Sequence, residues 1–507
     1  MHKKITRRKV LALAGAAAMA TLRLQQPARG QTRGSAQPKI LYIMVDDQAR
    51  HTASAQTMPK LDKYLRAEGI DFVHGYVSSP VCGPARAALF KGQYPHNTGV
   101  ITNSTTDQEF KTRGLDRDTV ATRLKAAGYT CGHFGKYLNG YDLSDARYVP
   151  PGWDRWFTSA EKREDYYEDP DSFVMSAATS GDETATVQRY SRSRWDETDL
   201  LADQVETFIR DNEDNKWLAY VAPTAPHDPY YVAPRNKHYA DGASYSSPGT
   251  KENTLKELSD KPQSLRDEAP WTAEKQAEAD RSFEGQLEEL QPVDDLIERL
   301  VLVLQETDQL SHTFVFYCSD NGYLMGEHGL LEKGAPYEEA TSVPFLVRGP
   351  EVLQGLTNDA LVSQLDITAT MLKVAGADAS GIDGRSLIPL LDGTVPSFWR
   401  KRLLIEQLGG TPHWNMLREG DYSYIERAPL ENVPLLPRGL EDPLGEILEK
   451  IGLLRGEREL YNLAADPYEL ENSYAASSQS DHVRTLSENL AKLKNAAGTE
   501  LRTAEEA

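Results

Sequence analysis

Cysteine is scarce: Cys82, Cys131 and Cys318 are the only three in 507 residues. Three thiols are too few to staple a chain of this size, so a disulfide scaffold is excluded and stability must come from a buried core. Cys131 and Cys318 fall in strand-like runs and are read as free core thiols or as one bridge. Long apolar runs are missing too. No uninterrupted stretch approaches the roughly 20 residues of a membrane-spanning helix, so no such helix and no stable membrane insertion are expected. Positive charge is in deficit, with 56 Lys and Arg against 76 Asp and Glu and a formal net charge of −20. So acidic a surface repels polyanions, which excludes nucleic acid as a partner.

The positive charge that does exist gathers at the start. Residues 1–34 hold eight basic side chains (Lys3, Lys4, Arg7, Arg8, Lys9, Arg23, Arg29, Arg33) and no acidic one. Arg7 and Arg8 follow Thr6 and precede the short apolar stretch Val10 to Ala20, the pattern of a twin-arginine export signal. Residues 1–34 are therefore expected to be a leader read by the twin-arginine (Tat) export machinery and cut somewhere around Ala28 to Ser35. Loss of those eight positive charges takes the formal charge from −20 to −28. That route carries chains folded or modified before they cross the membrane, and it predicts an exported protein, periplasmic or secreted.

The remainder, 39% hydrophobic and 26% charged overall, reads as an ordinary globular protein long enough for one large core with a smaller domain beside it. Lys39 to Val45 (KILYIMV) is a continuous apolar run of the kind found in strands buried on both faces, and it ends in Asp46 and Asp47. A helical stretch through Met58, Leu61, Leu65 and Ile70 follows, then a turn-rich segment, Ser78 to Arg86. Tyr129 to Phe134 reads as a strand delivering Lys136, Trp217 to Val221 as one delivering His227, and Thr313 to Cys318 as one delivering Asp320 and Asn321. Val293 to Leu304 has helical apolar spacing. Four strands thus place polar residues just past their carboxyl ends, where parallel α/β sheets collect ligand-binding groups. The polar stretch from about Arg235 to Gln291 reads as a surface excursion. The expected division is a catalytic region over 38–394 and, from about 395, a smaller domain with strands at Arg402 to Gln407, Asp421 to Glu426 and Glu459 to Leu463 and a helical tail.

The most informative string is Cys82-Gly83-Pro84-Ala85-Arg86, continued by Leu89 and Gly92. It resembles the C-x-P-x-R recognition sequence of the formylglycine-dependent type I sulfatases, in which the cysteine is oxidised to an aldehyde. Asp46-Asp47, Gly135-Lys136, His227, Asp320-Asn321 and Lys333 stand in that family's order, and the resemblance covers residues 38 to 475. It implies an alkaline-phosphatase-like α/β fold, a large central mostly parallel sheet flanked by helices, with a smaller C-terminal α+β domain. It also implies that a formylglycine-generating (sulfatase-maturing) enzyme converts Cys82 to 3-oxoalanine. Hydrated, that group is a geminal diol: one hydroxyl attacks sulfur, and the other expels sulfate by reforming the aldehyde.

Asp46, Asp47, Asp320 and Asn321 offer only oxygen, which suits a hard cation rather than zinc. The resemblance implies one Ca2+, with the modified Cys82 as a further ligand. By the same resemblance Arg86 holds the formylglycine, Lys136 bridges it and the sulfate, and Lys333 contacts sulfate and the leaving oxygen. His227 is the candidate proton donor, because imidazole titrates near neutrality. Two departures stand out. Leu138 replaces the His that many sulfatases carry two residues after the middle Lys, and Ala85 and Lys91 replace the Ser and Thr frequent in the maturation motif. Gly135 to Tyr141, with Pro150-Pro151-Gly152-Trp153-Asp154 behind it, looks like the N-acetylglucosamine-6-sulfatase branch, and Asn139 is expected to hydrogen-bond the sulfate or the nucleophile.

The implied activity is hydrolysis of a sulfate monoester on a sulfated (amino) sugar or glycan, and the acidic surface favours a small or singly sulfated one. Two alternatives use the same residues: a phosphodiesterase or phosphonate monoester hydrolase, and a non-catalytic binder of sulfated glycans.

Overall fold

In the computed structural model, which describes residues 38–141, 144, 146–160, 171–182, 184–251, 257–268, 270–409, 413–427 and 457–507, the apolar runs become the middle of a ten-stranded sheet. The expected leader lies outside the described residues. In chain order the strands are β1 (Lys39–Val45), β2 (Ile70–Phe72), β3 (Thr130–Gly135), β4 (Arg155–Ser159), β5 (Ser172–Thr179), β6 (Thr186–Ser191), β7 (Trp217–Ala222), β8 (Thr313–Ser319), β9 (Phe345–Arg348) and β10 (Leu356–Asn358). Their order across the sheet is β10-β2-β9-β8-β1-β7-β3-β4-β5-β6.

The five strands β8, β1, β7, β3 and β4 run parallel, with Leu41 opposite both Ala219 and Val315. Strand β1 shows why this run has no polar alternation. Ile40, Tyr42 and Met44 enter one core, and Leu41, Ile43 and Val45 enter the other, on the opposite face. Antiparallel strands close both flanks: β5 and β6 on one side, and β9 against β8 on the other. Four of the five parallel strands, β1, β3, β7 and β8, were legible as apolar runs; β4, with the sequence RWFTS, was not.

Three expectations are corrected. Ile70 opens β2 and is not the end of a helix; the helical turns stop at Arg66. The segment Ser78 to Arg86 is not all turn, since helix α1 (Cys82–Lys91) begins at Cys82 and includes Arg86. The stretch up to Gln291 is not all surface excursion. Helix α3 (Ala273–Glu306), which follows α2 (Glu197–Asp211), starts 20 residues before the expected Val293 and buries Gln286, Glu289 and Leu290 against the sheet. Its early polar residues mask a helix that packs along only one stripe.

After residue 400 a four-stranded antiparallel sheet forms from Arg402–Gln407, Trp414–Glu419, Tyr422–Arg427 and Arg458–Asn462, the second of which sequence reading missed. The expected helical tail is the pair Asp481–Leu493 and Gly498–Glu506. It is docked, not free: buried Glu505 pairs with Arg385 and Arg400, and Arg400 also grips Asp366. Both sheets belong to one compact unit, Gln37–Ala507. Cys131 and Cys318 are free, buried thiols. Among the described residues no helix is long and apolar enough to cross a membrane.

Candidate active site

The strands that end in Asp46, Lys136, His227 and Asp320 are neighbours, β1, β3, β7 and β8, so parallel register brings their carboxyl ends together along one edge of the sheet. Asp46 follows β1 directly. Asp47 takes a left-handed φ of 64°, a conformation that non-glycine residues hold only where surroundings enforce it. Those surroundings are hydrogen bonds: the Asp47 N–H donates to Asp320 Oδ1 at 3.2 Å, and Gln286 Nε2 donates to the Asp47 carbonyl at 2.8 Å. Gln286, on α3, was missed by sequence reading, because nothing marks it in a polar run.

Cys82 is the first residue of α1, preceded by extended Val81. Pro84 fits the first turn, where backbone N–H groups have no helical partner. Gly83 donates its N–H to Asn103 Oδ1 at 2.7 Å, and a Cβ there would come within 2.1 Å of the Thr106 hydroxyl, so only glycine allows that approach. From this position the fully buried Cys82 Sγ lies 3.6 Å from Asp47 Oδ1 and 2.9 Å from Lys333 Nζ. Lys333 also donates to both Asp47 oxygens at 2.6 Å.

One turn along α1, buried Arg86 donates through Nε to Asp320 Oδ2 at 2.7 Å and through Nη1 to the Lys136 carbonyl at 2.8 Å. Lys136 Nζ reaches Asp46 Oδ2 at 2.5 Å. His227 Nε2 lies 3.5 Å from Asp47 Oδ2, while its Nδ1 meets the Asp228 carbonyl. Asn321 Nδ2 donates to Asp47 Oδ1 at 2.8 Å. The structure therefore assembles all of Asp46, Asp47, Cys82, Arg86, Lys136, His227, Asp320, Asn321 and Lys333. Asn139 stands apart from this knot, in the wall of the adjoining cavity.

Burial alone would raise the Asp46 and Asp47 carboxyls. The cations outweigh it: Lys136, His227, Arg86 and Lys333 hold Asp46 well below the usual range, and Lys333 with His227 lowers Asp47. Asp320 goes the other way, pushed up to about 6 by burial and by Asp46 against the pull of Arg86. Burial also drives the Cys82 thiol well above its ordinary value despite Lys136 and Lys333. His227 is lowered by burial and by Lys333.

The donor set fits a hard cation. Asp46 Oδ1 and Asn321 Oδ1 are buried acceptors that no protein donor satisfies, and ligating atoms of Asp46, Asp47, Cys82 and His227 lie within 4.8 Å of one another. His227 borders this group through Nε2, 3.5 Å from Asp47 Oδ2. A cavity of about 1280 Å³ opens beside this knot, walled by Lys136, His227 and Lys333 and also by Asn103, Asn139, Arg192, Asp196, Glu197 and Glu289.

A mostly parallel, alkaline-phosphatase-like sheet whose carboxyl edge presents a buried thiol among acids and ammonium groups defines a class: enzymes that act on esters of tetrahedral oxyanions. Within it, this chain belongs to the sulfatase family, which matches residues 38–377. It is 31% identical over 399 residues to human N-acetylglucosamine-6-sulfatase, covering 75% of this chain and 69% of that one. It is 32% identical over 383 residues to the extracellular sulfatase SULF-1 homologue of Drosophila melanogaster, covering 73% of this chain but only 33% of the relative's length. Two solved structures share the fold. One, a protein in complex with its substrate D-glucosamine-2-N,6-O-disulfate, aligns with TM-score 0.69 at 22% identity over 91% of this chain and 98% of its own. The other, phosphonate monoester hydrolase from Silicibacter pomeroyi, aligns with TM-score 0.64 at 19% identity over 89% and 93%.

Proposed function

We propose that this protein is an exported hydrolase of sulfate monoesters on amino sugars, with Cys82 matured to formylglycine and one calcium ion at Asp46, Asp47, Asp320 and Asn321. The observation that carries the reading is the Cys82 thiol, buried at a helix N-terminus between Lys333 and Asp47. Burial keeps that thiol protonated, so an unmodified Cys82 is a poor nucleophile at neutral pH. Oxidation of its side chain to the hydrated aldehyde supplies a hydroxyl nucleophile instead. Calcium, when bound by the two orphaned oxygens and their carboxylate neighbours, supplies charge neutralisation at a sulfate oxygen.

The remaining roles belong to the chain's own residues. Lys136 and Lys333 line the cavity beside Cys82, and as ammonium groups they favour an anion there. Arg86 is locked to Asp320 and to the Lys136 carbonyl, so it positions the Lys136 backbone and the nucleophile's helix relative to each other. Burial and Lys333 lower the proton affinity of His227, and an arriving sulfate raises it, which suits a donor to the leaving oxygen. Residues 38–394 hold these groups, and 395–507 buttress them. The basic N-terminus is the feature that supports Tat export, with the leader cut somewhere around Ala28 to Ser35.

The amino-sugar assignment rests on the likeness to the N-acetylglucosamine-6-sulfatase branch over residues 135–154 and on the human relative. A phosphonate monoester hydrolase shares the fold, so phosphorus and sulfur esters of one leaving group are the discriminating pair. The deciding experiment is peptide mass spectrometry across Cys82 on protein made with a formylglycine-generating enzyme, followed by sulfate release from N-acetylglucosamine 6-sulfate. A mass about 18 Da below the thiol form together with sulfate release supports the assignment. Faster turnover of the phosphorus ester overturns it.

A further inference from the structure

The cavity beside the nucleophile is not uniformly cationic. Beyond His227 its wall turns acidic, and three carboxylates from two helices converge there: Asp196 and Glu197 at the start of α2, and Glu289 from α3. Glu197 is tied to the catalytic edge through one residue. Its Oε2 accepts the Thr224 hydroxyl at 2.7 Å, and the Thr224 carbonyl accepts the His227 N–H at 2.9 Å. Its other oxygen, Oε1, is buried and has no hydrogen-bond partner, although the residue is only 7% exposed. Glu289, also 7% exposed, accepts the Tyr231 backbone N–H. Asp196 caps α2 through the Asp199 N–H at 3.0 Å.

Three close carboxylates need compensation. Arg192, which stacks 3.7 Å above the Tyr231 ring, draws Glu197 and Glu289 down, Lys136 also draws Glu197 down, and Arg235 does the same for Asp196. Together they do not suffice: burial holds all three carboxyls above their ordinary values, and each is raised further by an acidic neighbour. A buried carboxylate oxygen without a donor, next to two more acids, calls for a donor-rich or positively charged group from the ligand.

We propose that Asp196, Glu197 and Glu289 form a specificity wall that accepts a sulfated amino sugar with an unsubstituted, protonated amine and rejects one whose amine carries a second sulfate. This rests on the reading of the protein as a sulfatase and names which amino-sugar sulfate the site takes. An ammonium group satisfies Glu197 Oε1 and favours the ionised form of carboxyls that burial otherwise raises. A sulfamate at the same place meets three acids, and like-charge juxtaposition of this kind is a recognised device for excluding wrong ligands. An N-acetyl group, neutral and with one N–H, falls between.

The test compares glucosamine 6-sulfate, N-acetylglucosamine 6-sulfate and glucosamine N,6-disulfate, with a simple aryl sulfate as a probe of chemistry alone. On matured, calcium-loaded enzyme, kcat/KM for the free amine should exceed that for the disulfate by more than about tenfold. Glu197→Gln should cut that ratio at least about threefold, and Glu289→Gln should do the same, both read as ratios within each variant. Aryl sulfate turnover with an unchanged or inverted amino-sugar ratio overturns the wall while leaving the sulfatase reading standing. Calorimetric binding of the same sugars to Cys82→Ala gives the Kd ratio without any turnover. If the two Kd values are equal, or the disulfate binds tighter, the inference fails whatever the protein hydrolyses.

Discussion

Replacing Arg86 with methionine tests the internal logic of the site most directly. Arg86 and Asp320 are both fully buried, and their 2.7 Å contact is the only salt bridge to Asp320 among the described residues. Methionine fills much of the space but leaves Asp320 Oδ2 and the Lys136 carbonyl without their donors. Breaking a buried pair from one side costs about 3 to 5 kcal/mol, because the remaining charge stays desolvated. The loss should depend on pH in a defined sense. Asp320 already has a folded value of about 6, above the roughly 3.9 of a free aspartate, so its ionised form opposes folding above that range. Without Arg86, one of the groups that lowers it, the folded value rises further. The variant's deficit relative to wild type is therefore largest at pH 8 and shrinks as pH falls toward 5, where Asp320 is protonated. Thermal melts in chelator at both pH values measure this, and added calcium should restore part of the loss at pH 8. A deficit below about 1 kcal/mol at pH 8, or one equal at pH 5, would refute the account of Arg86 as the compensating charge.

Other expectations follow from the same geometry. Gly135→Ala, at φ +103° with its new Cβ 2.0 Å from the Ala222 carbonyl, should distort the end of β3 and lower both thermal midpoint and turnover, by misplacing Lys136; a wild-type melt and wild-type kcat would contradict it. His227→Ala should slow alkyl sulfates by more than about a hundredfold and activated aryl sulfates much less, and equal losses would remove it as proton donor. Asn321→Ala should weaken calcium dependence of activity, read as a higher calcium concentration for half-maximal rate, since it deletes one of the two orphaned buried oxygens. Cys82→Ala should abolish turnover while leaving the melt close to wild type, and residual sulfate release would displace Cys82 as nucleophile.

How far the site was legible depends on where each residue's signal lies. Asp46-Asp47, Lys136, His227 and Asp320-Asn321 could be placed because each follows a short apolar strand, and strand ends are local features. Cys82, Arg86 and Lys333 needed motif resemblance, since nothing in their own periodicity distinguishes them from a turn or a solvated face. Gln286, Asn103 and Thr224 were invisible. Each makes a hydrogen bond across a gap of 20 residues or more in chain position, and no spacing rule reports such contacts. The same holds for Glu197 and Glu289, whose acids read as ordinary surface charge until α2 and α3 bring them to one wall.

By itself, then, the chain's order of residues determined the parallel sheet core, the polar groups at its carboxyl edge and the family, because apolar runs and a five-residue motif are written locally. Only the tertiary structure decided which strands are neighbours, and therefore that four separate strand ends form one site. It alone decided that α3 begins in a polar stretch and delivers Gln286 and Glu289, and that a buried acidic wall adjoins a cationic pocket. Those are long-range facts: they follow from sheet order and helix packing, and they set which charges face each other in a low-dielectric cavity.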